Sequence, residues 1–497
     1  MNKQIKYNDR GEVVSVNGIT TGHHLGAPMQ DAIGTPEDND PYATEHGTVT
    51  RVSNVIDDLQ PPSGAGGGYV VYHTDQENNV IGASFYGFKT LPKAICSVSG
   101  DSMYDKYLQF VDLSGCPELT EIPEGAFANQ RNLVDVKLPR QLTRIGVSAF
   151  GNCNNLTLNS LPDTIQYIGD YAFNYCEKLS LTKLPNDLTE IGFGVFDHCY
   201  DIQLTSLPAW IIEGDSGAFA GSGIQITSLP EGITRIGDGA FQSCSKVHIA
   251  ELPNSITSIG RSAFSYCEGV ELVSLPENVT TIGENAFAGC TNLKLNTLPR
   301  NITTLEPSVF NGCSNLALTS LPDGLTKIGE RAFKNCSSLS LTTLPNTVTI
   351  IESYAFQNCN RVALTKLPDN ITKISSWAFS GCTNIAITSL PESLTEILAN
   401  AFENCTGLKN IEIKAHKLSN AVFYKCTELE KVWIRSTCDT ITASRDSYSP
   451  FVNCDNSLEI YAEDTEKQSG WGNYFNRTGS TGSKTVNVVY GQTERPW

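Results

Sequence analysis

The chain has 497 residues, of which 53 are acidic and 35 basic, and its formal net charge is −18. This charge would repel a nucleic-acid backbone or an anionic membrane over most of the surface, so we expect neither as a partner. No run of about 18 apolar residues occurs, which disfavours a membrane-spanning helix. The first ten residues also lack the apolar core of a secretory signal.

Residues 1–60 form the first predicted segment, and they do not repeat. Glu12–Val16 and Ile19–Thr21 are joined by Asn17-Gly18, a pair that favours a tight hairpin turn. Much of the remaining segment is rich in Gly, Pro and Asp, which is typical of an extended piece that orders against something else. We therefore predict a β-rich attachment segment that docks onto a larger assembly.

A Pro/Gly-rich linker, residues 61–68, is predicted to follow that segment. Within residues 69–107, Tyr69–Tyr72 and Val80–Tyr86 have the composition of a second hairpin. An array of repeats needs a cap, because its open end would otherwise expose apolar core. Residues 69–107 are therefore predicted to be the N-terminal cap of the repeats.

Residues 108–434 carry a sequence repeat. Leu-Pro pairs return every 23 residues, with one step of 22, and begin at Leu161, Leu184, Leu207, Leu229, Leu252, Leu275, Leu298, Leu321, Leu344, Leu367 and Leu390. A fixed period of this size indicates a solenoid, in which each unit hides its apolar residues against the next one.

One unit predicts the elements of a single coil. Leu156–Asn159 alternates apolar and polar residues, as a half-buried strand does, and Pro162 ends that strand because it lacks an N–H group. Ile165 and Ile168 predict a short extended piece. Ala172–Cys176 places apolar residues on one face of a helical turn.

Phenylalanines stand at one position of successive units and predict a stacked core column. At a strand spacing of about 4.8 Å, some 14–15 coils would form a rod about 70 Å long. The column comprises Phe127, Phe150, Phe173, Phe196, Phe219, Phe241, Phe264, Phe287, Phe310, Phe333, Phe356, Phe379, Phe402, Phe423 and, at a looser spacing, Phe451.

The chain has 16 cysteines, and thirteen of them, from Cys153 to Cys454, follow an aromatic residue as Phe-x-x-Cys. Stacking would align these thirteen along one edge with parallel Cβ vectors, a geometry that strains a disulfide between neighbouring coils. We interpret them as a ladder of buried free thiols, with disulfides as the alternative. No Cys-x-x-Cys pair occurs, so no structural zinc site is predicted.

The repeat Leu-Pro, then Ile-x-x-Ile-Gly-x-x-Ala-Phe-x-x-Cys, resembles the BspA-like bacterial leucine-rich repeats over residues 108–434. The resemblance implies an α/β solenoid of short strands and short helical turns, in proteins that are usually exported. The copies at Leu133–Leu138 and Leu408–Ile413 have the family's strand pattern, Leu-x-x-Ile-x-Leu. The central copies read Leu-x-Leu-x-x-Leu, which leaves open which of their residues face outward.

One copy, between Leu207 and Leu229, is irregular. Gly214 stands where an inward isoleucine is expected, and Ser222 replaces the cysteine. These departures predict either a local change of curvature or a defect that the solenoid tolerates.

Residues 435–497 leave the period and are predicted to form a C-terminal cap or tip module. They loosely resemble the terminal modules beside such repeats in tail proteins of bacteriophages that infect gut bacteria. Aromatic residues gather in and next to this region, either as a recognition tip or as the core of the cap. The candidate binding residues here are Trp433, Tyr448, Tyr461, Trp471 and Tyr474.

A second set of candidate binding residues is the threonine column of the central copies, Thr319, Thr342, Thr365 and Thr388. Solenoids bind partners on long exposed faces, which favours this column. Hot spots of binding favour Trp, Tyr and Arg, however, so the column is alternatively a ladder of cross-strand contacts.

The sequence predicts no catalytic residue, no cofactor and no metal site. His198 beside Cys199 could form a thiol–imidazole pair, but this cysteine belongs to the repeated set. His23, His24 and His46 could bind a metal, although histidines in loops are usually solvated.

The combined interpretation is a non-enzymatic, elongated attachment protein. We expect a virion component, such as a bacteriophage tail fibre or receptor-binding protein, that contacts a bacterial surface receptor of protein or glycan. Residues 1–60 would bind other virion proteins and could hold a homo-oligomer. The alternatives are a bacterial cell-surface adhesin, a structural virion decoration and an envelope-glycan hydrolase.

Overall fold

The computed structural model describes residues 5–7, 13–16, 19–20, 48–53, 69–74, 80–91, 108–443, 448–455, 457–478 and 484–497. Its contacts divide the chain into two units. Unit 1 comprises residues 1–206 with 216–225, and unit 2 comprises residues 207–215 with 226–497.

Almost all regular structure in the described residues is short strand. The N-terminal strands are β1 (Ile5–Tyr7), β2 (Val13–Val16), β3 (Ile19–Thr20), β4 (Thr48–Ser53), β5 (Tyr69–Thr74), β6 (Val80–Tyr86), β7 (Phe110–Gly115), β8 (Glu121–Ile122), β9 (Asp135–Lys137), β10 (Arg144–Ile145), β11 (Tyr167–Ile168) and β12 (Glu190–Ile191). Unit 2 begins with the helix α1 (Ala209–Glu213) and continues with β13 (Arg235–Ile236), β14 (Ser258–Ile259), β15 (Thr281–Ile282), β16 (Thr304–Leu305), β17 (Lys327–Ile328), β18 (Ile350–Ile351), β19 (Lys373–Ile374) and β20 (Glu396–Ile397). The last strands are β21 (Asn410–Ile413), β22 (Lys417–Leu418), β23 (Lys431–Ile434), β24 (Thr440–Ile441), β25 (Glu459–Ala462) and β26 (Val488–Val489).

Both predicted hairpins form. β2 pairs antiparallel with β3, and β1 adds a third strand on the other side of β2. β5 pairs antiparallel with β6, and β4 pairs with β5, so the predicted linker at residues 61–68 joins two paired strands. β6 then pairs in parallel with β7, and β7 with β9. The hairpin thus extends the first repeat strands, as a cap must, while the exact domain boundaries stay a prediction.

The repeats form a parallel solenoid of about 14 coils, as predicted. Its regular ladder is not at the leucines, however, but at the two-residue strands before Gly169 and its equivalents. Ile168 of β11 pairs with Ile145 of β10 on one side and with Ile191 of β12 on the other. In unit 2 the same register joins β16 through β20 to β22 and β24. The second residue of each two-residue strand of this ladder points inward, and nearly all of these residues are fully buried.

The leucine segment of the central coils is extended, but it makes too few backbone hydrogen bonds with neighbouring coils to form a β-strand. Thr157 donates its backbone N–H to Val134 O over 2.8 Å, and the next coil repeats this with Ser180 and Leu158 over 3.0 Å. One or two such bonds per coil are too few for a ladder. Leu156 and Leu158 are buried and Thr157 is exposed, so the predicted alternation of inward and outward residues is confirmed. Paired strands appear where the sequence has Leu-x-x-Ile-x-Leu or a close variant of it, in β7, β9, β21 and β23, and β25 pairs with β23 although it lacks that pattern.

The predicted helical turn at Ala172–Cys176 is instead a run of tight turns. Backbone N–H groups there alternate between two acceptors: Cys153 donates to Phe150 O in its own coil, and Phe150 donates to Ala172 O in the next. This alternation places every fourth residue in the left-handed region, and Asn152, for example, has φ 62°. A helix would leave no N–H free to join neighbouring coils. The described residues therefore contain few helical residues.

Each coil contributes one buried phenylalanine to the core. Phe127, Phe150, Phe173, Phe196 and Phe219 are buried and form a stacked column in unit 1, with ring centroids 5.0–5.7 Å apart. Unit 2 contains a second column from Phe241 to Phe451. Between these turns and the isoleucine ladder lie the buried leucines, so the core runs along the whole of each unit.

The irregular copy contains α1, the one α-helix in the described residues. The side chain of Ile212 in this helix is buried, and its backbone carbonyl oxygen accepts the N–H of Gly237 over 2.7 Å. The ladder isoleucine makes the same bond in other coils. The helix therefore supplies the inward isoleucine that Gly214 does not. The predicted change of curvature stays a prediction.

The described helix is only five residues long, so no described helix could cross a bilayer.

Candidate binding surfaces

The four candidate threonines of the central coils are all exposed, and each follows a buried residue. Thr342, for example, follows buried Leu341, and Thr365 follows buried Leu364. The residues beside them are also small or polar, so this surface offers hydroxyls and little apolar area. The proposed binding role of Thr319, Thr342, Thr365 and Thr388 stays a prediction.

A hydroxyl ladder does exist, but another threonine column forms it. Thr349 donates its Oγ1–H to Thr326 O over 3.3 Å, and Thr372 does the same to Thr349 O over 3.1 Å. Thr395 continues the series to Thr372 O over 3.0 Å. This ladder precedes the two-residue strands, and the repeated Thr before each strand is the sequence signal for it.

The C-terminal aromatic residues divide into core and surface. Trp433 is 3% exposed and Trp471 is 2% exposed, and the indole N–H of Trp471 donates to Cys438 O over 2.7 Å. Tyr448 is 39% exposed, while Tyr461 and Tyr474 are half-buried. The two tryptophans therefore belong to the packed core of the cap, and the three tyrosines keep surface that a partner could contact.

Glu412, Trp433 and Tyr461 form a row across the C-terminal sheet, in register from β21 to β23 to β25. Arg435 and Glu463 flank this row, and we call these five residues the C-terminal cluster. Arg435 Nη1 donates to Glu412 Oε1 over 2.9 Å, and Arg435 Nε donates to Glu463 Oε2 over 3.0 Å. Its guanidinium also lies 4.5 Å from the centroid of the Trp433 ring. The cluster therefore combines stacked aromatic and charged groups on one face.

Electrostatics hold the C-terminal cluster in its charged state. Burial lowers the pKa of Arg435, but its hydrogen bonds and attraction to Glu463 and Glu412 outweigh burial and raise that pKa. A backbone hydrogen bond from Ser436 lowers the pKa of Glu463, and Arg435 lowers it further. The indole N–H of Trp433 has no acceptor in the described part of the chain. This row departs from the small residues that occupy the central coils.

The C-terminal tail lies against the same sheet. Gln492 donates its backbone N–H to Ala462 O over 2.9 Å, and Arg495 Nη2 donates to Thr388 O over 3.2 Å. The Arg495 guanidinium lies 5.0 Å from the centroid of the Trp497 ring. The tail thus joins the last strands to one of the candidate threonines.

The cysteines form the predicted ladder of free thiols. All fifteen cysteines in the described residues are free and buried. Cys176 Sγ donates to Phe150 O of the preceding coil over 3.1 Å, and Cys199 Sγ donates to Phe173 O over 3.1 Å. Burial raises the pKa of Cys199 well above its usual value. Because this thiol is directed to a carbonyl, Cys199 and His198 do not form a thiol–imidazole pair.

Acidic, histidine and cysteine side chains do not gather into a group of three that could hold a metal ion in the described residues. His23, His24 and His46 lie outside those residues.

One surface feature escaped the sequence interpretation. Tyr171, Tyr175 and His198 occupy left-handed turn positions, with φ of 55°, 57° and 61°. Bulky residues rarely adopt this conformation. Asn, Ser or Gly occupies most equivalent positions in other coils, although Tyr266, Tyr354 and Trp377 are further bulky residues there, and aligning the 23-residue units would have revealed these residues.

Comparison with known proteins agrees with this architecture. The family described as BspA type leucine-rich repeat region matches residues 120–248, 245–363 and 351–467. No curated protein matches the sequence. A leucine-rich repeat protein from Bacteroides ovatus has 23% identity and a TM-score of 0.50, and the match covers 79% of this chain and 98% of that one.

Two further crystal structures are similar in sequence to the same extent. A leucine-rich repeat protein from Eubacterium ventriosum has 22% identity and a TM-score of 0.46, covering 63% of this chain and 92% of that one. A leucine rich cell surface protein from Faecalibacterium prausnitzii has 23% identity and a TM-score of 0.40, covering 76% and 94%. The family match extends over well over half of the chain, and on that ground this protein belongs to the BspA-type leucine-rich repeat family.

Proposed function

We propose that this chain is a non-enzymatic attachment protein that binds a bacterial surface through exposed side chains of its repeats and C-terminal sheet. The observation that carries the proposal is the C-terminal cluster. There, the partly exposed side chains of Arg435 and Tyr461 lie beside the buried Trp433 ring, where the central coils have small residues. Tyr and Arg are among the residue types that dominate binding hot spots.

The surrounding surface supports recognition by contact. Lys431 lies beside Glu459, with Nζ 3.7 Å from Oε2, and Tyr461 donates its hydroxyl to the same carboxylate over 2.9 Å. These groups keep donors and acceptors that a polar receptor could engage, because both ion-pair partners are partly solvated. A receptor of protein or glycan would suit this mixture of aromatic and charged groups.

Point substitutions test this proposal better than removal of residues 435–497 does. β25 pairs with β23, and Phe451 stacks on Phe423 with centroids 5.8 Å apart, so a deletion would expose the core of the preceding coil. Tyr461→Thr with Lys431→Thr changes the surface and leaves the buried residues intact. Thr342→Arg with Thr365→Arg would block the threonine column instead.

The measurement is binding of fluorescently labelled full-length chain to bacterial cells by flow cytometry. The proposal predicts that the Tyr461/Lys431 double variant loses about tenfold in apparent affinity, while Tyr266→Asn, an exposed tyrosine elsewhere, does not. Loss only in the Thr342/Thr365 double variant would move the site to the threonine column. Unchanged binding in both double variants would refute the proposal.

The finer proposal is a bacteriophage virion component, such as a tail fibre or receptor-binding protein, with residues 1–60 bound to other virion proteins. Its support is the loose resemblance of residues 435–497 to terminal modules of tail proteins. A bacterial cell-surface adhesin is the alternative, and exported relatives of BspA support it. Immunoblotting of purified phage particles and of washed cells distinguishes the two: the virion proposal requires the chain in particles.

A structural virion decoration would also copurify with particles, but it would not bind cells. An envelope-glycan hydrolase would release soluble sugar from purified envelopes. We expect no release, and measurable release that scales with protein concentration would contradict a non-enzymatic function.

A further inference from the structure

Five aromatic side chains on the turn edge of unit 1 form two groups of contacting rings, and we call them together the turn-edge patch: Tyr171 with Phe193, and Tyr175 with His198 and Tyr200. The Tyr171 and Phe193 rings meet edge to face, with centroids 5.5 Å apart. Tyr175 stacks on His198 at 4.2 Å, and His198 meets Tyr200 at 5.8 Å. Phe193 is 53% exposed, so the patch shows more apolar surface than its own packing requires.

The backbone presents these rings rather than burying them. Tyr171 and Tyr175 occupy left-handed positions that direct them away from the phenylalanine column. Gly194 holds the same position as Tyr171 one coil later, and a Cβ there would lie 2.9 Å from the Tyr171 ring. The next coil therefore leaves room for this ring, which packs over it and stays accessible.

Carboxylates lie beside the patch, and Asp170 Oδ1 accepts the backbone N–H of Phe193 over 2.8 Å. Residues 163–206 contain seven acidic residues and two lysines. Lys183 is already paired with Asp163 at 2.9 Å. Asp197 Oδ1 lies 2.6 Å from His198 Nδ1, and partial burial together with the nearby Glu177 carboxylate raises the pKa of Tyr200. This field attracts cations and repels anions.

At other places the chain covers an aromatic ring with one of its own cations. The Arg144 guanidinium lies 4.0 Å from the centroid of the Tyr167 ring in unit 1. In unit 2, the Arg331 guanidinium lies 5.1 Å from the Tyr354 ring centroid. The turn-edge patch thus has aromatic rings and nearby carboxylates, but no lysine or arginine of the described residues lies over the Tyr171 or Tyr175 ring.

We propose that the turn-edge patch docks a basic, arginine-bearing segment of a partner protein. Guanidinium groups would stack on Tyr171 and Tyr175 and pair with carboxylates beside them, as Arg435 does with Trp433, Glu412 and Glu463 in unit 2. This site is separate from the C-terminal cluster, and the inference does not rest on the proposed attachment function.

The repeat itself supplies variants that should keep the fold. Serine holds the position of Tyr171 in other coils, at Ser148, Ser262 and Ser308. Asparagine holds the position of Tyr175 at Asn152 and Asn335. The double variant Tyr171→Ser/Tyr175→Asn therefore removes two rings without a backbone change. Tyr266→Asn, at the Tyr175 position of a coil in unit 2, is the matched control.

The probe is a fluorescein-labelled hexa-arginine peptide, whose binding to the full chain is followed by fluorescence anisotropy at 150 mM salt. We expect the double variant to raise Kd about fivefold or more, because each lost cation–π contact weakens binding severalfold. Tyr266→Asn should leave Kd unchanged. Hexa-lysine, which has the same charge but cannot stack a guanidinium, should bind more weakly than hexa-arginine to the wild-type chain and nearly equally to the double variant.

Hydrogen exchange locates the peptide, and the inference predicts protection of residues 170–201. An unchanged Kd in the folded double variant would overturn the proposal and assign hexa-arginine binding to net charge alone. Protection of residues 170–201 by neutral maltohexaose, with none by hexa-arginine, would overturn it in favour of a glycan site.

Discussion

Cys336 Sγ lies 3.0 Å from the carbonyl oxygen of Phe310 in the preceding coil and donates a hydrogen bond to it. The same oxygen accepts the backbone N–H of Cys313 over 3.1 Å. One phenylalanine carbonyl therefore closes its own turn and anchors the next coil. Because this pattern recurs along both units, the thiols are structural hydrogen-bond donors as well as small apolar groups.

The thiol ladder predicts that the protein loses stability in alkali. Burial raises the pKa of Cys290 and of Cys426 to about 12, whereas an unfolded thiol titrates near 8.5. Above that pH the unfolded chain has released protons that the folded chain retains, so the free energy of unfolding falls as pH rises. We expect full stability below about pH 8.5 and a steep decline between about pH 9 and 12.

Urea denaturation followed by circular dichroism, repeated from pH 7 to pH 11, measures this decline. The matched variant Cys290→Ala should show a shallower decline than the wild type, because it lacks one of these thiols. A free energy of unfolding that does not change between pH 8 and pH 11 would contradict the ladder.

The phenylalanine column predicts a large difference between two aromatic substitutions. Phe333 is fully buried and stacks on Phe310 and Phe356, with centroids 5.7 and 5.3 Å away. Phe333→Ala should destabilise unit 2 by about 3–5 kcal/mol, because it leaves a cavity between two coils. Phe193→Ala, at a ring that is 53% exposed, should change stability by less than about 0.5 kcal/mol. Similar losses from both variants would mean that the core is not built on this column.

Close contact between coils predicts which glycines can be replaced. A Cβ added to Gly237 would lie 1.8 Å from the Gly214 carbonyl oxygen, whereas one added to Gly324 would meet nothing within 4 Å. Gly237→Ala should therefore destabilise unit 2 by about 2 kcal/mol or more, since neighbouring backbone must move. Gly324→Ala should be neutral or slightly stabilising. Thermal unfolding of the two variants makes the comparison, and a tolerated Gly237→Ala would refute the close approach at this coil.

The left-handed turn positions predict a stabilising substitution. Tyr266 has φ 58° and is 63% exposed, so its ring gains little from burial. Asparagine adopts this conformation more readily than tyrosine and occupies the same position at Asn358. Tyr266→Asn should raise the free energy of unfolding by about 0.5–1 kcal/mol. A measured loss of stability would indicate that contacts of the Tyr266 ring stabilise the fold by more than its left-handed backbone destabilises it.

The sequence predicted the solenoid, its period, the phenylalanine column and the thiol ladder, because each depends on spacing alone. It misplaced the regular ladder, because Leu156 and Leu158 alternate like a strand while the paired residues, such as Tyr167 and Ile168, form only a two-residue strand. Periodicity reports which residues are buried, and it does not report which backbone groups pair. The prediction of a helical turn was wrong for the same reason. Phe173 and Cys176 would both point inward in a helix, and they also both point inward in consecutive turns.

Candidate binding residues were harder to predict than the fold. Trp433 and Trp471 have the composition of a hot spot, yet packing against Arg435 and the Cys438 carbonyl buries them. Tyr171 and Tyr175 resemble ordinary variable residues in one copy. Their unusual character appears when the 23-residue units are aligned at the turn positions, and the left-handed backbone there gives the reason for it.

Hydrogen exchange of the full-length chain, with and without bacterial envelopes, tests the central claim that exposed side chains of the repeats and C-terminal sheet bind a cell surface. The account predicts slower exchange in β23 and β25 on binding, with no sugar released from the envelopes. Unchanged exchange throughout the repeats and residues 435–497, or protein-dependent release of envelope sugars, would contradict it.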